Sequence, residues 1–229
     1  MRPTLSGWRY ELKLVCEARQ IAQARSWVRL HPAGFVTAYP TRQVNNIYFD
    51  TPLLGSLNDN LSGTSHRQKL RLRWYGPGGD RVAPWVEVKE KQNMVGRKWR
   101  VRTATPIDLT EPWPSILAVV RGAVPPECPT WAHGALQPTL FNRYQRDYYW
   151  TYDRSIRATI DFSPVACDQR TAPRPALRCP LPMEEYVVIE LKAPPESIDR
   201  LQEIAARFPV CRGKNSKYVK GLLAALGSP

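Results

Sequence analysis

The chain has 229 residues, enough for one sizeable core and too few for two fused enzymes. Hydrophobic residues make up 43% and charged residues 23%, which excludes both wholesale disorder and a membrane bundle. Lys and Arg outnumber Asp and Glu by 33 to 20, a net charge of +13. The natural partner of such a chain is a polyanion: nucleic acid, a phosphate-rich ligand or an anionic membrane.

The first fifteen residues, through Val15, hold no signal-sequence-like apolar run, and the aliphatic stretch from Ile116 to Val120 is far too short to span a bilayer. The expected location is the cytoplasm. Cys16, Cys128, Cys167, Cys179 and Cys211 form no C-x-x-C pair, which fits a reducing compartment. His31, His66 and His133 show no metal-ligand spacing, so histidine chemistry is not expected.

In chain order, residues 9–13 open a strict alternation in which Arg9, Glu11 and Lys13 share one face and Tyr10 and Leu12 the other. A helix is expected over 16–30, with Ile21, Ala24 and Val28 on one side. Residues 69–73 alternate again (Lys69, Arg71, Arg73), and Gly76–Gly79 reads as a hairpin loop before Glu87, Lys89 and Lys91 of the next strand. Arg97, Lys98, Arg100 and Arg102 either extend a phosphate path or form a solvated basic edge. The 22 prolines crowd into 106–138 and 164–195, which excludes long helices there. Tyr144, Arg146 and Tyr148, then Arg157 and Asp161, then Glu190 and Lys192 continue the alternation, and 163–185 reads as a long irregular loop. Two more helices are expected: 195–208, opened by Pro195 and stopped by Pro209, and roughly 215–226.

Charged alternation usually means an antiparallel sheet with one wet face. Here that face would carry ten basic residues (Arg9, Lys13, Lys69, Arg71, Arg73, Lys89, Lys91, Arg146, Arg157, Lys192) against four acidic ones (Glu11, Glu87, Asp161, Glu190). Such a surplus is costly through self-repulsion unless an anion fills the face. If the sheet curls closed, the charged face becomes a tunnel wall and the apolar face packs outward under the three helices.

The ordered series Arg9–Lys13, Asn46–Thr51, Lys69–Tyr75, Val86–Lys89, Tyr144–Arg146, Arg157, Ile189–Lys192 and Ser216–Tyr218 resembles the VTC domain. This is the polyphosphate polymerase domain of vacuolar transporter chaperone proteins, within the triphosphate tunnel metalloenzyme superfamily. The resemblance covers about residues 7–223, and the whole chain, 1–229, is expected to be one VTC-like domain. It implies an α+β fold, an antiparallel eight-stranded β-tunnel with a charged interior flanked by α-helices.

By the same resemblance, Lys13, Arg71, Arg73, Lys89, Arg146, Arg157 and Glu190 are the implied catalytic set. Arg9, Lys69, Lys91, Tyr144, Lys192, Lys214 and Lys217 are the implied substrate ligands. Glu190 is the implied metal ligand, with Glu11 and Glu87 as further candidates, and the metal would be Mn²⁺ or Mg²⁺, suited to oxygen donors. Phosphoryl transfer needs little covalent chemistry from the protein, so the lack of a histidine or serine nucleophile is no obstacle. The superfamily's first-strand pattern is E-x-E-x-K, and Arg9 stands at its first glutamate, as in the VTC branch. Neither a regulatory domain nor membrane segments fit within 229 residues, so any membrane protein partner is expected to be a separate chain. ATP and polyphosphate are the implied ligands. Nucleic acid is not expected, because cations inside a narrow tunnel cannot reach a duplex. The implied activity is transfer of the terminal phosphoryl group of ATP to a growing polyphosphate chain. A tunnel hydrolase of triphosphate or polyphosphate, or a non-catalytic polyphosphate-binding module, are the alternatives.

Overall fold

In the computed structural model, which describes residues 7–227, the alternating segments form long antiparallel strands. The order begins with β1 (Arg9–Glu17), a short 3-10 turn and α1 (Ile21–Arg29), then β2 (Phe35–Asp50), α2 (Gly55–Leu61) and β3 (His66–Tyr75). A short β4 (Arg81–Val82), β5 (Trp85–Gln92), β6 (Val95–Arg102) and a short β7 (Ile107–Asp108) lead to α3 (Trp113–Gly122) and α4 (Pro129–His133). The chain then runs through β8 (Gln137–Thr151), β9 (Arg157–Asp168), β10 (Tyr186–Ala193), α5 (Ile198–Ala206) and α6 (Lys217–Ala225).

Eight strands close into an antiparallel barrel in the order β1-β10-β9-β8-β2-β3-β5-β6, while β4 and β7 pair separately. The seam pairs Arg9 with Gly96 and Tyr10 with Val95. The first residues of β1 thus meet the first residues of β6, an offset that reflects the stagger a closed barrel requires. Closure turns the period-two pattern into an inside and an outside.

The outside is the core. Leu70, Leu72, Val86, Val88, Ile47 and Phe49 pack beneath Trp113, Ile116 and Val120 of α3 and Trp131 of α4. On the opposite flank Leu14, Ile160, Ile189 and Leu191 pack beneath Ala24 and Val28 of α1 and Leu201, Ile204 and Ala205 of α5. Each such buried aliphatic side chain contributes about 1.5–3 kcal/mol relative to exposure.

Several elements differ from the sequence expectations. Cys16 and Glu17 continue β1 opposite Val187 and Tyr186, so the helix starts only at Ile21. The expected loop at 163–185 is partly strand: β9 runs to Asp168, and Ser163 at φ 51° accompanies a register shift between Arg143 and Gln145. That extra residue switches side-chain parity, so Ala166 points to the same side as Asn142. The expectation that all three helices cover the apolar face holds for α1 and α5. α6 instead stops one end of the barrel, where Tyr218 and Leu222 pack with Tyr48, Leu140 and Ala166. The other flank is covered by α3, which forms inside the proline-rich stretch because its prolines, Pro112 and Pro114, fall at the N-cap and first turn, where no intrahelical N–H is lost. No helix among the described residues is long and apolar enough to cross a membrane.

Candidate active site

The barrel lumen gathers charge from every strand and resolves it into three acidic nodes. Glu87, fully buried on β5, receives Arg71 Nη2 at 2.7 Å and Nε at 2.9 Å, Lys98 Nζ at 3.0 Å, Arg100 Nε at 3.3 Å and Arg73 Nε at 3.7 Å. Asp161 on β9 receives Arg146 Nε at 2.5 Å and Nη2 at 2.6 Å, with Lys217 Nζ at 2.5 Å. Glu11 and Glu190 share Lys192, whose Nζ lies 3.1 Å from one and 3.0 Å from the other. Lys89 adds a 2.6 Å bond to Glu11, while Lys13 and Arg146 stand 3.8 and 3.7 Å from Glu190.

All these carboxylates are held ionised. Burial alone would raise the Glu190 pKa, but Lys192, Lys13 and Arg146 together keep it well below the usual range. Glu11 behaves likewise through Lys192 and Lys89, and Glu87 through Arg73 and Arg71. For Asp161 burial is again outweighed, by Arg146 and Lys217, and the pKa falls to about 2.

The cations exceed these partners. Lys13 donates to the Asn215 carbonyl at 2.5 Å, and Lys69 to Ser216 Oγ at 2.9 Å. Arg73, buried, spends its donors on Asn46 Oδ1 at 2.7 Å and the Tyr144 hydroxyl at 3.0 Å. Arg157 Nε is buried without a partner among the described residues. Burial, then repulsion from Lys89, Lys13, Arg67 and Arg71, pushes the Lys69 pKa well down. A lumen in which neutral oxygens stand in for anions is an anion site by its own electrostatics.

Of the residues implied by the sequence, Lys13, Lys69, Arg71, Arg73, Lys89, Tyr144, Arg146, Arg157, Glu11, Glu87, Glu190 and Lys192 lie on the inner wall, and Lys217 reaches it from α6. Lys217 Nζ sits 4.5 Å from the Tyr144 ring centre. Lys91 is half-buried near the α6 end, while Arg9 and Lys214 are exposed at the rims. The three carboxylates do not form one cluster: Glu87 is sealed by Arg71, Arg73, Lys98 and Arg100, away from the Glu11–Glu190 pair. Among the described residues no group of three His, Cys, Asp or Glu side chains converges on one point. The basic run on β6 splits by parity. Lys98 and Arg100 face Glu87, whereas Arg97 bonds Glu90 on the outer side, between Trp8 and Trp99.

Sequence reasoning missed the neutral members of the wall. Asn46 is placed by β2 between Arg73 and Asn142, and Tyr48 accepts from Arg71 Nη1 at 3.1 Å. Their signal was their parity with the charged series, masked because β2 carries polar residues on both faces.

The stretch 213–218 lies across the α6 end of the tunnel. Besides the Lys13 and Lys69 contacts, Gly213 N donates to Lys13 O at 3.0 Å and the Tyr218 hydroxyl to Asp50 Oδ2 at 2.5 Å. The opposite end, where β2 passes β8 and β3 meets β5, carries arginines laid on aromatic rings: Arg100 at 3.9 Å from the Trp85 centre and Arg42 at 4.7 Å from Tyr39.

A closed antiparallel eight-stranded barrel with its charge inside and its apolar core outside is the triphosphate tunnel fold. Within that class the chain belongs to the VTC domain family, whose model matches residues 8–111 and 123–226. Among solved structures it is similar to an enzyme of Hippeastrum, described as an adenylyl cyclase candidate with a dominant triphosphatase activity (TM-score 0.58, 14% identity, 96% of this chain and 97% of that one). It is also similar to a candidate adenylate cyclase of Vibrio parahaemolyticus (TM-score 0.52, 12% identity, 90% and 94%). At such identities the likeness speaks for the fold alone. No curated protein sequence matches the chain significantly.

Proposed function

We propose that the protein is a metal-dependent polyphosphate polymerase that passes the terminal phosphoryl group of ATP to a phosphate chain. The observation that carries this reading is the excess of lumen cations over lumen carboxylates, converging on Glu11 and Glu190, in a member of the VTC domain family. Phosphoryl transfer runs through a loose transition state whose charge spreads over the transferred oxygens, so fixed cations supply most of the catalysis. Arg71, Arg73, Arg146, Lys13 and Lys89 would hold the triphosphate, and Arg157 and Lys69 would gain the anionic partner they lack.

Glu11 and Glu190 fit a divalent ion: both are ionised, both face the lumen, and the pair already accommodates one cation, the Lys192 ammonium. Mn²⁺ or Mg²⁺ bound there would neutralise developing charge on phosphate oxygens, which would complete its coordination. Glu87 does not fit, since its oxygens are taken by four cations.

An acceptor phosphate arrives already ionised and needs no general base from the wall. Hydrolysis is the second reading, since the same clamp could pass the phosphoryl group to water; the Hippeastrum protein, alike in fold, is described as having a dominant triphosphatase activity. Incubation with ATP and Mn²⁺ or Mg²⁺, with and without a short phosphate primer, tests both. The expected products are ADP and long chains on a polyphosphate-stained gel; stoichiometric orthophosphate with no chain growth would replace the polymerase by the hydrolase.

A further inference from the structure

The segment between β9 and β10 forms no strand, yet part of it runs back along the end of β9. Leu181 N donates to Ala166 O at 2.8 Å. The Gln169 amide holds Ala176 at both ends, Nε2 donating to its carbonyl at 2.7 Å and Oε1 accepting from its N–H at 2.9 Å. With Ala166 opposite Leu181 and Gln169 opposite Ala176, the two segments run antiparallel, and Cys179 falls within one residue of directly opposite Cys167. Extended segments in that relation lie about 4.7–4.9 Å apart, inside the Cα separation of about 4.4–6.8 Å that a disulfide spans. Both cysteines are free thiols, Cys167 buried and Cys179 exposed. Burial pushes the Cys167 pKa up, and the Cys179 backbone N–H, hydrogen-bonded to that sulfur, pulls against it, as does Arg143.

We propose that Cys167 and Cys179 are a redox pair, oxidised to an intramolecular disulfide by a peroxide or by a small-molecule disulfide such as oxidised glutathione, and that the bond fixes the segment on which α6 rests. Exposure sets the order of events. Cys179, open to solvent beside Arg178, is the thiol an oxidant reaches first. Its thiolate attacks one sulfur of the glutathione disulfide and expels the other half as a thiolate. Cys167 then gives up its proton, attacks Cys179 Sγ and expels the second glutathione thiolate. The protein thiols lose two protons and two electrons, and the glutathione disulfide takes them up as two thiols. With hydrogen peroxide, Cys179 becomes a sulfenic acid and Cys167 displaces its hydroxyl, each step releasing one water. The consequence falls on α6. Leu181 and Met183 pack with Tyr218 and Leu222 of that helix, and Arg170 Nη2 donates to Ala225 O at 2.7 Å. A covalent loop from 167 to 179 restricts the unfolded chain and resists local opening of this strap beneath α6. Cys211, the other exposed thiol, lies beside Arg212, which bridges to Leu14 of β1, and serves as the control.

The test treats the reduced protein with oxidised glutathione and, separately, with hydrogen peroxide, and maps its peptides under non-reducing conditions. The expected result is a Cys167–Cys179 cross-link, a Tm higher by about 5 °C than that of the reduced chain and returned to it by dithiothreitol, and slower hydrogen exchange at the α6 amides. Cys179→Ser, a change at an exposed position, should fold as the wild type does and lose the cross-link and both shifts. Cys211→Ser should keep all three. Oxidation that leaves Cys167 a free thiol, with Cys179 carrying only glutathione or a sulfinic acid, would overturn the pair. A cross-link that forms without raising Tm, or without slowing exchange at α6, would sever the bond from the helix and overturn the strap.

Discussion

Glu87 and Glu190 are both buried, both ionised and both ringed by cations, yet their partners differ in number and distance, and the proposed reading gives them opposite duties. Glu87 is saturated by four basic side chains, so Glu87→Gln leaves a buried positive cluster uncompensated and should cost about 3 kcal/mol or more of stability in chemical denaturation. Glu190 has only one close partner, Lys192 at 3.0 Å, with Lys13 and Arg146 held back near 3.8 and 3.7 Å. Glu190→Gln should therefore fold, bind triphosphate and lose turnover by orders of magnitude. Near-normal activity at limiting metal would transfer the metal role to Glu11. Arg157 argues the converse case. Its buried Nε lacks a partner, and burial with repulsion from Arg146 lowers its pKa. Arg157→Met should stabilise the ligand-free fold by about 1 kcal/mol while shrinking the rise in Tm on adding triphosphate. A less stable variant, or one with the full ligand shift, would show that Arg157 serves the fold and leaves binding to others.

At the level of elements, α6 works as a stopper, and its fit is set by one residue. A Cβ on Gly221 would lie 2.6 Å from Leu140 Cδ2 and 3.3 Å from the Ala166 Cβ, and both neighbours are buried. Gly221→Ala gains about 1 kcal/mol of helix propensity but meets an overpacking cost of about 1–3 kcal/mol. A net loss of about 1 kcal/mol is expected. Gly122, at the end of α3 with nothing near its would-be Cβ, is the control, and Gly122→Ala should be neutral or stabilising by up to about 1 kcal/mol. Equal effects at the two sites in urea melts would mean that α6 is not packed as described. The strands were legible because charge at every second residue leaves one consistent inside. The stopper was not, since a helical period on 215–226 says which face is apolar but not what that face meets. α3 was hidden by the prolines that start it. Asn46, Tyr48 and Asn142 were hidden because a neutral side chain acquires its role only from the arginine that closure brings beside it. The parity switch at Ser163 rests on a backbone bulge that no side-chain pattern announces.

For the molecule as a whole, the lumen couples folding, protonation and ligand in a way that has a sign. Lys13 is pushed down to about 8 by burial, with Glu190 pulling upward and Lys89 and Lys217 pushing further down. Lys98 is pushed down to about 7 by burial, against Glu87 and with Arg73 and Arg71. An unfolded chain keeps these lysines protonated up to their ordinary values near 10.5, so from about pH 7 upward it binds protons that the folded chain has released. The ligand-free fold therefore gains stability from these groups as pH rises toward about 9. Lys89 and Lys217, whose values are raised, lose their contribution only above their unfolded value and do not oppose this. A bound polyanion favours the protonated lysines, because it adds negative charge to a lumen in which their carboxylate partners are shared with other cations, so affinity must fall over the same interval. The expected outcome is a ligand-free Tm higher at about pH 9 than at about pH 7, and a triphosphate-induced increment that is larger at about pH 7. High salt should shrink the increment at both, since it screens the lumen charge and competes with the anion. If the increment grows with pH instead, the lumen lysines are not what holds the phosphates, and the anion site must be sought on the arginine-lined open mouth.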